Sequence, residues 1–474
     1  MRLHSRQRKG TTVMRNLCFA LLLMLLTGCT VGPDYIRPDV AAPERWTVDY
    51  QAAAGLADSQ WWKQFGDPAL DSLIEQAVRG NLDLKSATAK VDQYLGALDA
   101  TRSQYYPQIS AGFDAGGKRA AGITTESYQA ALNATWELDL WGRIRRSSEA
   151  ARAQIAGSEA GRRGVLLTLV ANVASGYLTL RGLDRQLEIT RATEKAYAES
   201  LNLFQLRFKY GTVSQLEVSQ AESQFESARQ SIPVYESQIR QQENLLSLLL
   251  GRAPGAIPRG KNLDELTPPD IPAGLPSQLL ERRPDIIQAE QSLVAANAQV
   301  GVAIAGYFPK ISLTGALGVA SNDIGRLFVP GSNIWSAAGQ AVAPLLNFGQ
   351  TSGQVKQAEA QQQQAMFQYQ QAVLTGFKDV EDALVKTTKG REQLAAQKRQ
   401  VAALEEYSRL SRLQFEAGTS NYLQVLDADR SLFTGKLNRT QTQYDLLVSL
   451  ISVYKAMGGG WIAEADKLGE TTKK

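Results

Sequence analysis

The sequence predicts an α+β membrane protein that repeats one plan, a hairpin of strands followed by long coiled-coil helices. The segment YYPQIS at 105–110 returns as YFPKIS at 307–312, and FKYGTVSQLEV at 208–218 returns as FEAGTSNYLQV at 415–425. These offsets of 202 and 207 residues exceed the ~20 to 50 residues of a stacking repeat, so they indicate a duplicated domain. Within each copy, the spacing of apolar residues also changes from every second position to every third or fourth.

The first residues have the pattern of a secretory signal peptide. Residues 1–28 carry five basic residues, no acid, and an apolar run from Leu17 to Leu26 that is too short to span a bilayer. Small residues then precede Cys29, which resembles the processing site of a bacterial lipoprotein and implies lipid attachment there. An ordinary signal peptide followed by a chance cysteine is the alternative. Residues 29–60, rich in Pro, Ala and Asp, are typical of an extended linker from such an anchor.

The composition that remains after this processing excludes several functions. Loss of residues 1–28 leaves 46 Lys and Arg against 47 Asp and Glu, so the charge gives no argument for nucleic-acid binding. His4 and Cys18 are also lost, which excludes histidine-based catalysis, a disulfide and a thiolate metal site. A hydrolase that uses paired carboxylates stays open, but no spacing singles out a pair. We expect no enzyme activity and no cofactor.

Each repeat is expected to contain a helix, two strands and two long helices. Pro107 and Pro309 end the first helix of each copy, and alternating apolar residues then predict the strands. A Pro-rich connector, 254–276, joins the copies, and 459–474 forms a C-terminal tail. The first copy, 61–253, has expected strands at about 106–117 and 126–140 and helices at 143–210 and 214–250; the second, 277–458, has strands at about 308–320 and 332–347 and helices at 350–417 and 421–457.

The long helices carry the seam of a coiled coil. Mainly apolar residues recur three and four positions apart in the series Phe433, Leu437, Thr440, Tyr444, Leu447, Ile451 and Tyr454. No proline interrupts 143–210 or 350–417, about 68 residues each. At ~1.5 Å per residue, each of these helices would extend roughly 100 Å. The segments FKYGT and FEAGT each place a glycine at the end of a long helix, where a left-handed cap favours glycine. Each copy is therefore expected to form a helical hairpin.

Ten glutamines lie between residues 350 and 371, at the start of one long helix. They are typical of a solvated helix face of low complexity. The alternative is that their amides line a water-filled passage while the apolar seam faces neighbouring helices.

Four strands of ~10 residues have the length that a tilted strand needs to cross a bilayer. Four cannot close a barrel, because the smallest membrane barrels have about eight strands, and open edges leave backbone groups unpaired in hydrocarbon. The strands therefore require an oligomer; counting alone leaves a dimer and a trimer open. Four aromatic residues near the strand ends are expected at the lipid–water interface: Tyr105, Tyr106, Trp136 and Trp335. The arginines of the WGRIRR segment are expected in solvent: Arg143, Arg145 and Arg146.

Several longer motifs are similar to those of one family. WWKQFGDPAL at 61–70, WELDLWGRIRR at 136–146, LLERRPDI at 279–286, VLDA at 425–428 and GGGW at 458–461 resemble the lipoprotein outer-membrane factors of tripartite efflux pumps. These are NodT-type lipoproteins of the TolC-like outer-membrane efflux family. The resemblance covers essentially the whole chain.

The resemblance implies a homotrimer with a 12-stranded outer-membrane β-barrel that continues into a periplasmic α-helical barrel. An equatorial domain would comprise 61–80, the connector and the chain after 458. The protein would be a passive exit duct for drugs or other small toxic compounds, lipid-anchored in the outer membrane. Its partners would be a periplasmic adaptor protein and an inner-membrane transporter of the proton-driven RND type. A type I protein-secretion channel and a structural periplasm-spanning lipoprotein are the alternatives.

The resemblance also implies roles for particular residues. The VLDA motif places Asp427 in an acidic ring at a closed periplasmic tip, and Leu423, one turn earlier, in an apolar constriction. Gln424 departs from members that carry an acid there, so a doubled acidic ring is not expected. The turns of the two helical hairpins would contact the adaptor: Gly211, Thr212, Gly418 and Thr419.

Overall fold

A computed structural model describes residues 30–40, 43, 45–47, 60–269 and 279–459. The expected signal peptide and Cys29 lie outside these residues, as do most of the linker, part of the connector and nearly all of the C-terminal tail.

The described chain contains helices and one sheet in the order that the duplication suggests. Three short 3-10 helices lie at Trp61–Phe65, Leu263–Glu265 and Ile324–Arg326. The remaining elements are α1 (Pro68–Gly80), α2 (Leu82–Ser103), β1 (Gln108–Ala120), β2 (Ile123–Leu138), α3 (Arg143–Lys209), α4 (Gln215–Arg229), α5 (Ser231–Leu249), α6 (Leu279–Arg282), α7 (Pro284–Ala305), β3 (Lys310–Ser321), β4 (Asn333–Val342), α8 (Gln350–Glu416) and α9 (Tyr422–Ala456).

Two elements differ from the sequence expectation. The helix expected over 214–250 is divided at Gln230, because Pro233 cannot donate to the carbonyl group of Arg229 four residues earlier. The strand expected over 332–347 ends at Val342. Pro344 follows, and β4 has a sheet neighbour on one side only among the described residues.

The chain groups into two compact units, and each draws on both repeats. One unit contains the described residues among 1–40, 89–160 and 288–371, and the other those among 41–88, 161–287 and 372–474. The compact units therefore cut across the two repeats.

The first unit carries a four-stranded antiparallel sheet in the order β1-β2-β3-β4. Leu132 lies opposite Leu317 across β2 and β3, and Leu317 lies opposite Trp335 across β3 and β4. Because side chains alternate along a strand, this register gathers apolar residues on one face. The opposite face carries polar side chains, including Asp114 opposite Gln129 in β1 and β2. A sheet with one apolar and one polar face suits a wall between lipid and water.

The second unit is closed by aromatic packing and buried hydrogen bonds. The ring of Trp61 stacks on that of Tyr454 with centroids 5.2 Å apart, and both are buried. The buried carboxylate of Asp67, which caps α1, accepts from the hydroxyl of Tyr177 at 2.7 Å and from the backbone N–H of Lys261 at 3.1 Å. Through these bonds α3 holds both the segment that enters α1 and the connector after α5.

The RRPD segment at the start of α7 is fixed by one buried guanidinium. Arg283 donates to both carboxylate oxygens of Asp285, to Asp379 of α8 at 3.0 Å and to the carbonyl oxygen of Ala456 at 3.0 Å. Burial works to lower the pKa of Arg283, but the two carboxylates outweigh it and the pKa is raised, so the group stays charged. This side chain ties α7, α8 and the end of α9 together within the second unit.

Helices α3 and α9 approach each other closely in the second unit at a glycine. A Cβ atom added to Gly182 would lie 2.1 Å from the ring of Tyr444, which is far inside van der Waals contact. The glycine therefore admits the tyrosine ring into the coiled-coil seam.

Candidate functional site

The two helical hairpins end in the same turn. Gly211 and Gly418 have φ values of 71° and 74°, as a left-handed cap requires. The N–H of Thr212 donates to the carbonyl of Arg207 and that of Thr419 to the carbonyl of Gln414, each at 2.9 Å. This six-to-one bond is the Schellman pattern, and in both turns the threonine hydroxyl donates to the same carbonyl. Both turns are short, hydrogen-bonded and exposed.

The helices that follow the turns have capped N-termini. Ser214 forms a capping box with Glu217 at the start of α4, with the Ser214 N–H donating to the Glu217 carboxylate at 2.7 Å. Asn421 caps α9 by accepting from the N–H of Gln424. The caps fix the rotation of α4 and α9, and with it the direction of the side chains in their first turns.

An apolar cluster, here called the tip cluster, joins the two hairpins just behind these turns. Its buried members are Phe204, Val218, Ala221, Tyr422 and Val425. The rings of Phe204 and Tyr422 have centroids 4.1 Å apart. The cluster holds the first turns of α4 and α9 in fixed positions relative to each other.

Leu423 and Asp427, the expected gate residues, project from the opposite side of α9 and line one groove. Leu423 is 60% exposed, and the carboxylate of Asp427 is half exposed. The guanidinium of Arg430 lies 3.5 Å from that carboxylate, and the Tyr407 hydroxyl donates to it at 3.4 Å. Gln220, which the duplication aligns with Asp427, lines the same groove from α4. The groove thus brings the two aligned positions, 220 and 427, together, and only one of them carries an acid.

Sequence reasoning missed Asp429, two residues beyond the expected gate acid. Its side chain is buried, and it accepts from the Ser408 hydroxyl and from the guanidinium of Arg412, both at 2.6 Å. Burial raises the pKa of Tyr422 to about 12, and the charge of Asp429 adds to that shift. Two residues along a helix turn the side chain by roughly 200°, so Asp429 faces α8 while Asp427 faces the groove. The DxD spacing was the available signal.

The expected interfacial aromatics lie at the two ends of the strands. The Trp136 indole donates to the carbonyl of Tyr105 at 2.9 Å, where β2 ends beside the start of β1. Tyr106 and Trp335 are largely exposed. Trp141, between β2 and α3, stacks on Phe308 with centroids 4.8 Å apart and donates to the carbonyl of Pro309 at 2.8 Å. These rings flank the sheet at both ends of its strands.

The residues after Cys29 are fastened to the first unit by Arg146, which was expected in solvent. Its side chain is buried and donates to the carbonyls of Val31 and Gly32 and to the carboxylate of Asp34 at 2.7 Å. The N–H of Val31 donates to the carbonyl of Trp141 at 3.1 Å. Thr30, the first described residue, therefore lies at the junction between sheet and helices.

The family of the chain follows from comparison with known proteins. The sequence pattern of the outer membrane efflux protein family matches residues 73–252 and 275–459. The chain belongs to this family.

Relatives in the outer membrane efflux protein family match over nearly their whole length. The cation efflux system protein CusC of Escherichia coli O6:H1 is 35% identical over 453 residues, which cover 94% of this chain and 98% of that protein. The toluene efflux pump outer membrane protein TtgC of Pseudomonas putida is 34% identical over 471 residues, 96% of this chain and 97% of TtgC. The function as outer-membrane component of an efflux system is therefore confirmed, and with it the outer-membrane location.

Solved channels of the family share the fold. A crystal structure of CusC superposes with a TM-score of 0.83 at 34% identity and covers 91% of this chain and all of that one. The open state of the MtrE outer membrane channel of Neisseria gonorrhoeae gives a TM-score of 0.84 at 31% identity, with 91% and 99% covered. The expected TolC-like fold class is confirmed.

We predict that Asp429 stabilises the tip and that Asp427 does not. Asp429→Ala removes the buried acceptor of Ser408 and Arg412, so it should cost about 2 kcal/mol and speed amide hydrogen exchange over residues 404–432. Asp427→Ala is the matched control, because its partners are exposed, and it should leave exchange unchanged. Equal protection in both variants would show that the Asp429 contacts carry no stability.

Proposed function

We propose that three copies of this chain form the exit duct of a tripartite pump that expels small toxic compounds. The observation that carries the proposal is the four-stranded sheet with one apolar face and two open edges, continued by two helices of 67 residues. Three such sheets supply twelve strands, within the size range of membrane barrels. A periplasmic adaptor and an inner-membrane transporter, expected to be a proton-driven RND protein, would deliver the substrate.

Small organic compounds are the proposed substrates. CusC is named for cations and TtgC for toluene, so relatives of equal identity serve both classes. After removal of residues 1–28 this chain has no histidine, and Cys29 is its only cysteine. The described residues contain no group of three or more His, Cys, Asp or Glu that could hold a metal ion. The soft metal ligands that remain are few, Met366, Met457 and the lipid-bearing Cys29, which favours organic cargo over captured cations. The efflux names of these relatives also favour this function over protein secretion.

We propose that Leu423 and Asp427 form the periplasmic gate. In a trimer, the groove they line would repeat three times about the axis, giving a ring of carboxylates and a ring of leucines. The first repeat offers Leu216, which the duplication aligns with Leu423 and which is 65% exposed, but Gln220 in place of the acid. This asymmetry supports a gate in the second repeat.

Removal of the gate side chains should widen the closed tip. We expect Leu423→Ala with Asp427→Ala to raise single-channel conductance in planar bilayers, because both rings lose bulk and charge. Leu216→Ala is the matched control and should conduct as the parent does. Unchanged conductance in the double variant, or an equal increase in the control, would remove the gate from these residues.

We propose that the two hairpin tips contact the adaptor. Both are short, exposed turns with the same hydrogen bonds, as expected of surfaces that present one shape twice. Cysteines placed at Thr212 or Thr419 should cross-link to an adaptor protein in cells, whereas a cysteine at the exposed Thr124 of the β1–β2 hairpin should not. Cross-linking from Thr124 alone, or from none of the three, would contradict the assignment.

Lipid attachment at Cys29 completes the proposal. The Arg146 contacts that fasten residues 31–34 support it, because they hold the following chain beside the membrane-facing junction. Metabolic labelling with radioactive palmitate should mark the parent protein and not Cys29→Ser. Label that persists in the variant would place the lipid elsewhere.

A further inference from the structure

The two repeats contact each other inside one chain through one edge of each, and the other edge of each repeat is uncovered. Inside the chain, β2 pairs with β3, and α3 packs against α7. The duplication makes β4 and α8 the counterparts of β2 and α3, and β1 and α2 the counterparts of β3 and α7. The lengths agree, with 67 residues in both α3 and α8 and 22 in both α2 and α7. Positions can therefore be transferred residue by residue.

The helices show that the counterpart surface is uncovered. Ala150 and Ala153 of α3 are buried against Ala295 and Ala298 of α7. A Cβ on Gly157, one turn further, would lie 3.4 Å from the side chain of Gln291. The counterparts of these three α3 positions in α8 are all exposed: Gln357, Ala360 and Gln364. These three positions are thus covered on α3 and exposed on α8. On α8, two of them are glutamines of the 350–371 segment.

The junction between sheet and helices shows the same difference. Trp141 is stacked on Phe308, and their counterparts are Phe348 and Tyr106. Phe348 is 92% exposed and Tyr106 is 70% exposed. Phe348 also has a φ of 49°, a left-handed conformation that is uncommon for an aromatic residue, whereas Trp141 is not among the positive-φ residues. Phe348 therefore has the position of a stacked ring without its partner ring.

We propose that a second copy of this chain covers this surface in one defined register, with Phe348 stacked on the partner subunit's Tyr106. Transfer of the internal pair Leu132–Leu317 places Gly339 of β4 opposite the partner subunit's Ala115. This assignment rests on the proposed trimer and adds its register. The interface joins two different surfaces, so it forms a closed ring when the rotation from one copy to the next is one third of a turn, as in the proposed trimer.

The register is consistent with the faces of the sheet and with the early end of β4. Gly339 and Ala115 both lie on the apolar face, so the face continues from one subunit to the next. The internal pair Leu138–Ile311 transfers to Leu345 and the partner subunit's Ile109. Residues 343–345 would thus join β4 only when the partner is present, and Leu345 is 95% exposed without it.

Slips by two residues are the competing registers, because they also keep the apolar face continuous. They would place Gly339 opposite the partner subunit's Phe113 or opposite the partner subunit's Gly117. Each slip moves the strand by about 6.8 Å, which carries Phe348 away from the partner subunit's Tyr106. The three registers are therefore separable by the distance between chosen residues.

Disulfide cross-linking of the full-length protein in outer membranes tests the register. The predicted pairs are Gly339→Cys with Ala115→Cys, and Ala338→Cys with Gly116→Cys. One pair from each face is used because opposite residues alternate between close and wide spacing. The slipped pairs are Gly339→Cys with Phe113→Cys, and Gly339→Cys with Gly117→Cys. We expect linked dimers and trimers from at least one predicted pair, in at least tenfold higher yield than from either slipped pair.

The outcomes separate the register from the assembly. A higher yield from a slipped pair overturns the register and leaves the trimer intact. Absence of links in every variant, with the mass of a trimer retained, also overturns it. Loss of the trimer in the parent protein as well would overturn the proposed assembly and the register together.

The aromatic contact has its own test. Phe348→Ala should lower the temperature at which the trimer dissociates in detergent by several degrees, and Phe348→Trp, which restores the residue of the internal seam, should not. Phe328→Ala is the control, because Phe328 is also largely exposed but lies in the β3–β4 loop outside the transferred interface. An equal effect of Phe348→Ala and Phe328→Ala would overturn the stacking contact.

Discussion

The backbone groups at the two edges of the sheet need hydrogen-bond partners, and this need determines how the protein can enter a membrane. Strands β1 and β4 each have one sheet neighbour among the described residues, while the apolar face of the sheet suits hydrocarbon. In hydrocarbon an unpaired peptide group costs several kcal/mol, because no water replaces the missing partner. A single chain with both sheet edges unpaired is therefore not a stable membrane form. Because the long helices are continuous with the strands, they belong to the same assembly that pairs those edges.

The two repeats are similar in backbone and different in chemistry. The seam inside the chain carries the ion pairs of Glu137 with Arg143 and Lys310, and the counterparts of these residues are Pro344, Gln350 and Gln108. The transferred seam thus lacks these charges. Charged pairs fix an internal contact that is always present, whereas a neutral seam carries no charge that would lose its water when a second copy covers it. The single acid of the proposed gate, Asp427 against Gln220, follows the same difference between the copies.

Local signals predicted much of the fold, and long-range contacts account for what they missed. Alternating residues gave the strand faces, and Gly211 and Gly418 gave the caps, because both depend on near neighbours in sequence. The break at Gln230 was also local, and Pro233 should have predicted it. The burial of Arg146 depends on a segment more than a hundred residues earlier in the chain, and that of Asp429 on the orientation of α8. The early end of β4 was also local, because Pro344 follows Val342 by two residues.

In the proposed assembly, one chain is a third of a channel. Native mass spectrometry of the protein extracted from outer membranes tests this. We expect a single species with three times the mass of the processed, lipidated chain, and no monomer at concentrations where the sheet is intact. A stable monomer whose strands remain protected from hydrogen exchange would contradict it, because such a sheet would satisfy its edges without a second copy.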